Sequence, residues 1–262
     1  MNSKVKRMGI HLNYKLKGSG QPIIILHGLF GMLDNWNSIG NKLADNYTVY
    51  LVDQRDHGKS DKSTEFDYDL LAHDLKNFCV EQGLSKVNLI GHSMGGKTAM
   101  TFANEYPEMI DKVMIVDITP KTYAGGHELI FEAILGVPIA KITKRSEVDE
   151  LLSTKIKNLG VRQFLMKNLN RKKEGGFEWK ANFQLLHDSY ENIKGMPSLR
   201  KDSDLDILFI KGEMSDYITA DDESRIKEYF PKAQIETIPN AGHWVHAEKP
   251  KELLDRIYSF FQ

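Results

Sequence analysis

The 262 residues contain a single cysteine, so no internal disulfide framework can staple this fold. Cys79, set among Leu75, Phe78 and Val80 in a helical pattern, reads as a small buried hydrophobe. Runs of about 18 apolar residues are absent, which argues against a membrane-spanning helix and against stable membrane insertion. Residues 1–7 are polar and carry no apolar segment of the kind that heads a secretory signal, so a cytoplasmic address is the expectation. Neither sign of charge is in excess: 35 Lys plus Arg stand against 36 Asp plus Glu, a formal charge of -1. That balance removes the summed positive field needed to hold a nucleic-acid backbone, and the short run Arg171-Lys172-Lys173 reads as a solvated turn. No repeat occurs at solenoid spacing, and the 8 Pro and 20 Gly fall singly or at turns, so an ordinary globular chain is expected.

What is present is a set of short, continuous apolar runs separated by helical patterns. Strand-like alternation over residues 10–16 precedes the Gly18-Ser19-Gly20 turn. Buried strands follow at 23–26, 49–52, 87–90 and 113–116, ending at His27-Gly28, Asp53, Gly91 and Asp117. Helical spacing separates them around Trp36, Ile39 and Leu43, over 68–82, and over 98–106 up to Pro107. Fully apolar strands alternating with helices predict an α/β fold, a mostly parallel sheet with helices on both faces. From 121 to 200 the pattern turns helical, with segments at 128–135, 147–152, 161–168 and 179–193 and no convincing buried strand. Residues 121–200 are therefore expected to form an inserted helical cap on a core of 1–120 and 201–262. The sheet resumes at 207–210 and 234–238, and helices are expected at 221–229 and 250–261.

Ligands of open parallel sheets gather beyond the carboxyl ends of the strands, and one motif there carries chemistry. Gly91-His92-Ser93-Met94-Gly95 fits G-x-S-x-G and lies between a strand and a helix, the context of a nucleophile elbow. Small residues at 91 and 95 let the backbone reverse sharply, and Gly96 lets the new helix pack closer still. Ser93 is then the nucleophile, raised above the sheet. A protonated hydroxyl is a weak nucleophile, so an imidazole must take its proton. His243, in Asn240-Ala241-Gly242-His243-Trp244 after the last strand, is the best-placed base of the nine histidines. His11, His73, His127 and His187 carry no catalytic signal, and His246 reads as a helix-start residue.

An acyl-transfer site also needs N–H donors aimed at the former carbonyl oxygen. Met94, which follows the nucleophile, supplies one. Leu29, after His27-Gly28, is expected to supply the second, with Phe30 as the neighbouring alternative. Two carboxylates compete to orient the histidine. Asp117 ends the strand after the nucleophile helix, 24 residues beyond Ser93; Asp216 stands 27 residues before His243, with Ser215 beside it. The loop 53–60 reads as support, with Asp53 or Arg55 bracing its neighbours through charge-assisted hydrogen bonds. Trp36 and Trp244 are expected near the pocket. Phe131, Leu135 and Tyr190 are candidate acyl contacts whose helical spacing suits the cap's own core equally well.

Together these motifs resemble the α/β-hydrolase superfamily over nearly the whole chain. More narrowly, 27–31 with Asn35, 91–97, Val116-Asp117-Ile118-Thr119-Pro120 and 242–250 resemble small bacterial serine esterases related to mitochondrial α/β-hydrolase proteins. The resemblance implies a helical cap, hydrolysis of short to medium acyl esters or thioesters, and no metal or organic cofactor. It also implies that the acid follows the strand after the nucleophile helix, which favours Asp117 over Asp216. A C–C bond hydrolase or a cofactor-free peroxidase is the alternative on the same elbow and cap, and a noncatalytic small-molecule receptor is the nonenzymatic one. Nothing in the sequence indicates an oligomeric state.

Overall fold

The computed structural model describes residues 10–201 and 203–262; residues 1–7, read above as lacking a secretory segment, lie outside that range. Strands β1 (Tyr14–Lys17), β2 (Gln21–Leu26), β3 (Tyr47–Val52), β4 (Val87–His92) and β5 (Ile110–Val116) alternate with helices α1 (Asn37–Leu43), α2 (Tyr68–Glu81) and α3 (Met94–Glu105). The insertion between β5 and the next sheet strand holds α4 (Glu128–Leu135), α5 (Arg145–Lys155) and α6 (Leu159–Met166), then β6 (Leu169–Arg171) and β7 (Phe177–Trp179), then α7 (Phe183–Asp188) and α8 (Tyr190–Lys194). The chain closes with β8 (Ile207–Gly212), α9 (Ala220–Tyr229), β9 (Gln234–Ile238), α10 (Val245–Glu248) and α11 (Pro250–Phe261).

The main sheet has seven strands in the order β1-β3-β2-β4-β5-β8-β9. Only the edge strand β1 runs antiparallel, against β3; every other neighbour pair is parallel. The apolar runs dictate this, because successive side chains leave opposite faces of a strand and both faces must then be covered. Ile24, Leu26, Tyr50 and Val52 enter one core with α2, α3 and α9, whereas Ile23, Ile25, Val49 and Leu51 enter the other with α1 and α11. On α11, Leu253, Ile257 and Phe261 recur every four residues and are all buried. Each such side chain contributes about 1.5–3 kcal/mol by leaving water. Cys79 lies wholly inside the first core, and burial pushes its thiol up to about 12.

The insertion has its own apolar centre, which continues into Leu29, Phe30, Phe66 and Met94 of the core. The hairpin β6–β7 is a departure from the all-helical expectation for 121–200: Trp179, read as the start of a helix, ends a three-residue strand paired with Leu169. Strands this short show no alternation long enough to betray them. Among the described residues, no helix is long and apolar enough to cross a membrane.

Candidate active site

Strand register brings the candidate residues to one level. His92 of β4 pairs with Val116 of β5, and Val116 with Ile210 of β8, so Ser93 and Asp117 leave adjacent strand ends side by side. Ser93 adopts φ 52° and ψ -121°, a conformation that costs an L-residue on the order of 1–3 kcal/mol and persists only where the surroundings enforce it. The reversal is tight because nothing projects from its flanks. A Cβ on Gly91 would lie 2.3 Å from the carbonyl oxygen of Gly95, and one on Gly95 would lie 2.6 Å from those of Leu26 and His27. Gly28 also passes close, where an added Cβ would sit 3.0 Å from His92 Nδ1 and 3.1 Å from the Cβ of Ser93. This approach carries the backbone after β2 past the serine. The N–H groups of Leu29 and Met94 have no acceptor among the described residues.

Asp117, also at positive φ (52°), turns its fully buried carboxylate toward the loop after β9. Its Oδ1 accepts the Gly212 N–H at 3.0 Å, and Oδ2 accepts the Ser215 hydroxyl and lies 2.8 Å from His243 Nδ1. A carboxylate only accepts, so Nδ1 carries the proton and Nε2 is left with a free lone pair. The His243 loop approaches β8 because Gly212 has no side chain: a Cβ there would meet the Gly242 carbonyl at 2.4 Å. Two further contacts fix the ring. Tyr217 stacks on it at 3.7 Å and 16°, and His92 Nε2–H donates to the His243 carbonyl at 2.8 Å. Burial holds His92 well below the usual histidine range, so it is a neutral donor.

Ser93 and His243 line one cavity of about 340 Å³ with mostly apolar walls, including Phe30, Ile130, Val161, Phe164 and Leu165. Its volume falls at the lower end of the about 300–1,000 Å³ typical of small-molecule sites. Trp36 and Trp244 both line it; Trp36 is itself buried and stacks on His246 at 4.5 Å. Among the described residues the His243 ring bonds to Asp117 and makes no hydrogen bond to Ser93.

Of the two competing carboxylates Asp117 contacts His243, and two of the expected acyl contacts, Phe131 and Leu135, line neither lobe. Asp216 is exposed and makes no hydrogen bond or ion pair among the described residues; the neighbouring Ser215 is the residue that reaches the carboxylate. Phe131 faces the insertion's own core, enclosed by Phe30, His187 and Tyr190, and lines no part of the cavity. Leu135, in the last turn of α4, is 38% exposed. Tyr190 lines a smaller lobe that also touches Ser93. Its hydroxyl accepts the His127 N–H at 3.2 Å and lies 2.8 Å from His127 Nδ1.

Sequence reasoning passed over His127, which lines both lobes and is lowered to about 4, chiefly by burial. It also passed over Tyr217, which like His127 sits in no motif, and it noted Ser215 without giving it a contact to the acid. The support loop behaves as expected. Asp53 accepts from Leu33 N, Asn13 Nδ2 and Lys59 N, and Arg55 holds Asp74 through two bonds of 2.6 and 2.9 Å.

A family model described as the alpha/beta hydrolase fold matches residues 21–250. The sn-1-specific diacylglycerol lipase ABHD11 of Mus musculus is 38% identical over 246 residues, spanning 91% of this chain and 80% of its own length. Esterase YbfF of Escherichia coli strain K12 is 35% identical over 240 residues, 91% of this chain and 92% of its own. A solved marine microorganism esterase superposes with a TM-score of 0.94 at 42% identity, covering 96% of this chain and all of that one (100%).

Proposed function

The chain belongs to the α/β-hydrolase fold family, and from that premise we propose that it is a serine esterase acting on short to medium acyl esters or thioesters through an acyl-serine intermediate. The observation that carries the reading is the 2.8 Å contact between Asp117 and His243 Nδ1, on a cavity that the same ring shares with Ser93. In the proposed reaction His243 Nε2 takes the Ser93 proton as the hydroxyl oxygen attacks the acyl carbonyl. The oxygen that becomes negative is held by the Leu29 and Met94 N–H groups, worth about 3 kcal/mol per donor in a comparable site. Collapse expels the alcohol or thiol, which receives the proton from His243. Water, deprotonated by the same ring, then releases the acid and restores Ser93.

Asp117 keeps the imidazole in the tautomer this cycle requires and stabilises its charged form. Residues 121–200 act as the cap that closes the apolar cavity over the acyl chain, with Trp36 and Trp244 among its walls. The alcohol and thiol chemistry fits a site whose lining is largely hydrocarbon. The names of the relatives, an esterase and a diacylglycerol lipase, agree with ester hydrolysis.

Initial rates on 4-nitrophenyl esters of increasing chain length, and on matched thioesters, test the reading. Turnover that disappears in Ser93→Ala is expected. Turnover unchanged in that variant would remove Ser93 from the chemistry, and none on any ester or thioester would favour C–C bond cleavage, cofactor-free peroxidase chemistry or a receptor role.

A further inference from the structure

Next to Ser93, on the side of Met94, lies a second lobe of about 40 Å³, mostly apolar like the first but with two lysines in its walls. Its walls include Lys97, Lys194, Tyr68, Tyr123 and Tyr190, and among the described residues that line it none is Asp or Glu. Lys97 lies one helical turn beyond the nucleophile and is 1% exposed. Its ammonium donates to the Lys194 carbonyl at 2.9 Å and the Gly195 carbonyl at 2.5 Å, and it stands 4.9 Å from the Tyr123 ring centre and 5.7 Å from that of Tyr68. In its charged form the group has three N–H donors, of which these two carbonyls take two.

A buried cation is ordinarily matched by an anion, because carbonyl dipoles and ring faces offset only part of its lost hydration. The nearby charges do not supply one. Lys121 adds positive potential and is itself committed to Asp222, and Lys194 is paired with Glu191 outside the lobe. The tyrosines are occupied: the Tyr68 hydroxyl donates to the Ile193 carbonyl and that of Tyr123 to the Tyr217 carbonyl. Desolvation, with a smaller effect of Lys121, brings Lys97 down to about 7, so an arriving anion would favour its charged form. The lobe exceeds the roughly 10–15 Å³ that one water needs, leaving space for a group of carboxylate size.

We propose that this lobe is an anion subsite in which Lys97 binds a carboxylate on the ester substrate, so that short carboxylate-bearing esters are preferred over neutral esters of the same size. The proposal rests on the esterase reading for its substrate and narrows that reading. Lys97 then selects substrate as well as tying α3 to the end of α8.

The test compares monoethyl succinate with ethyl pentanoate, where the charge is on the acyl side. It also compares butanoyloxyacetate with propyl butanoate, where the charge is on the alcohol side. Rates are followed by pH-stat at pH 6.5 in the wild type and Lys97→Met. The expected result is at least a tenfold higher kcat/KM for the charged member of one pair, lost in Lys97→Met while the neutral ester changes less than threefold; the pair that responds identifies the side. Wild-type ratios at or below one in both pairs would overturn the proposal, whether or not Lys97→Met folds. An equal loss on charged and neutral esters in a folded Lys97→Met would overturn it too, leaving Lys97 a purely structural tie. Calorimetric binding of the same esters to Ser93→Ala, with and without Lys97→Met, reads the lobe without turnover. Lys97-dependent binding there supports the subsite even if no ester is hydrolysed, a result that would sink only the esterase reading.

Discussion

Replacing Asp117 with Asn changes no volume and keeps one acceptor, yet it should disable the proposed base. The amide oxygen can still take the Gly212 N–H, now made at 3.0 Å. The amide NH₂ then faces both Ser215 and His243 Nδ1, where the carboxylate oxygen sits 2.8 Å from the ring. The serine hydroxyl can rotate and accept. The imidazole can accept only if its proton moves to Nε2, and that removes the lone pair aimed at the Ser93 side. A comparable wrong-tautomer substitution in a serine protease lowers kcat about 10⁴-fold, so Asp117→Asn should lose about 10³–10⁴-fold, or about 4–5.5 kcal/mol at 1.36 per decade. Asp216→Asn alters an exposed side chain without partners among the described residues and should stay within about threefold, as surface changes near ±0.5 kcal/mol do. Both kcat values are measured on 4-nitrophenyl butanoate, with thermal denaturation as the control for folding. A folded Asp117→Asn enzyme within tenfold of wild type, or a larger loss from Asp216→Asn, would refute the reasoning.

Gly91→Ala drives a methyl to 2.3 Å from the Gly95 carbonyl oxygen, a backbone atom that cannot yield, so a loss of about 3 kcal/mol or more is expected in urea unfolding; a loss under 1 would contradict the elbow geometry. Tyr217→Ala removes the ring stacked on His243 at 3.7 Å and, at about 0.5–1.5 kcal/mol per aromatic pair, should lower kcat about 2- to 12-fold at nearly constant KM. His27, His57 and His246 are lowered by burial to about 4, 3 and 3. Below the ordinary histidine value of 6.5 the unfolded chain therefore takes up protons that the folded chain refuses. Stability should fall as pH drops from about 6.5 to 4, by up to about 1.4 kcal/mol per pH unit for each histidine, and a flat urea midpoint over that window would count against their neutral burial.

How far the sequence disclosed this molecule depended on the length of each signal. Runs such as 23–26 and 113–116 are apolar at every position, which fits few environments other than a strand covered on both faces, so the sheet was legible. Gly91, Ser93 and Gly95 were legible because a steric demand at fixed offsets leaves a pattern in adjacent residues. The orienting acid was harder. Asp117 and Asp216 both follow strands, and what separates them is a local turn, the positive φ at Asp117, together with the exposure of Asp216. Phe131 and Leu135 share a helical face by spacing, but spacing does not say whether that face meets a cavity, a neighbouring helix or water. Tyr217 and His127 reach the site from separate segments of the chain, and only tertiary packing makes neighbours of them and of Lys97, which shares the nucleophile's helix.

The central claim is that Ser93 is a nucleophile activated by His243. Its most direct measurement is labelling of the folded protein with a fluorophosphonate, followed by mass spectrometry of the modified peptide. The account predicts a single adduct on Ser93 that is abolished by prior denaturation and slowed at least about 100-fold in His243→Ala, the lower end of what general-base assistance contributes. An adduct on another residue, or a folded protein that takes no label, would contradict it.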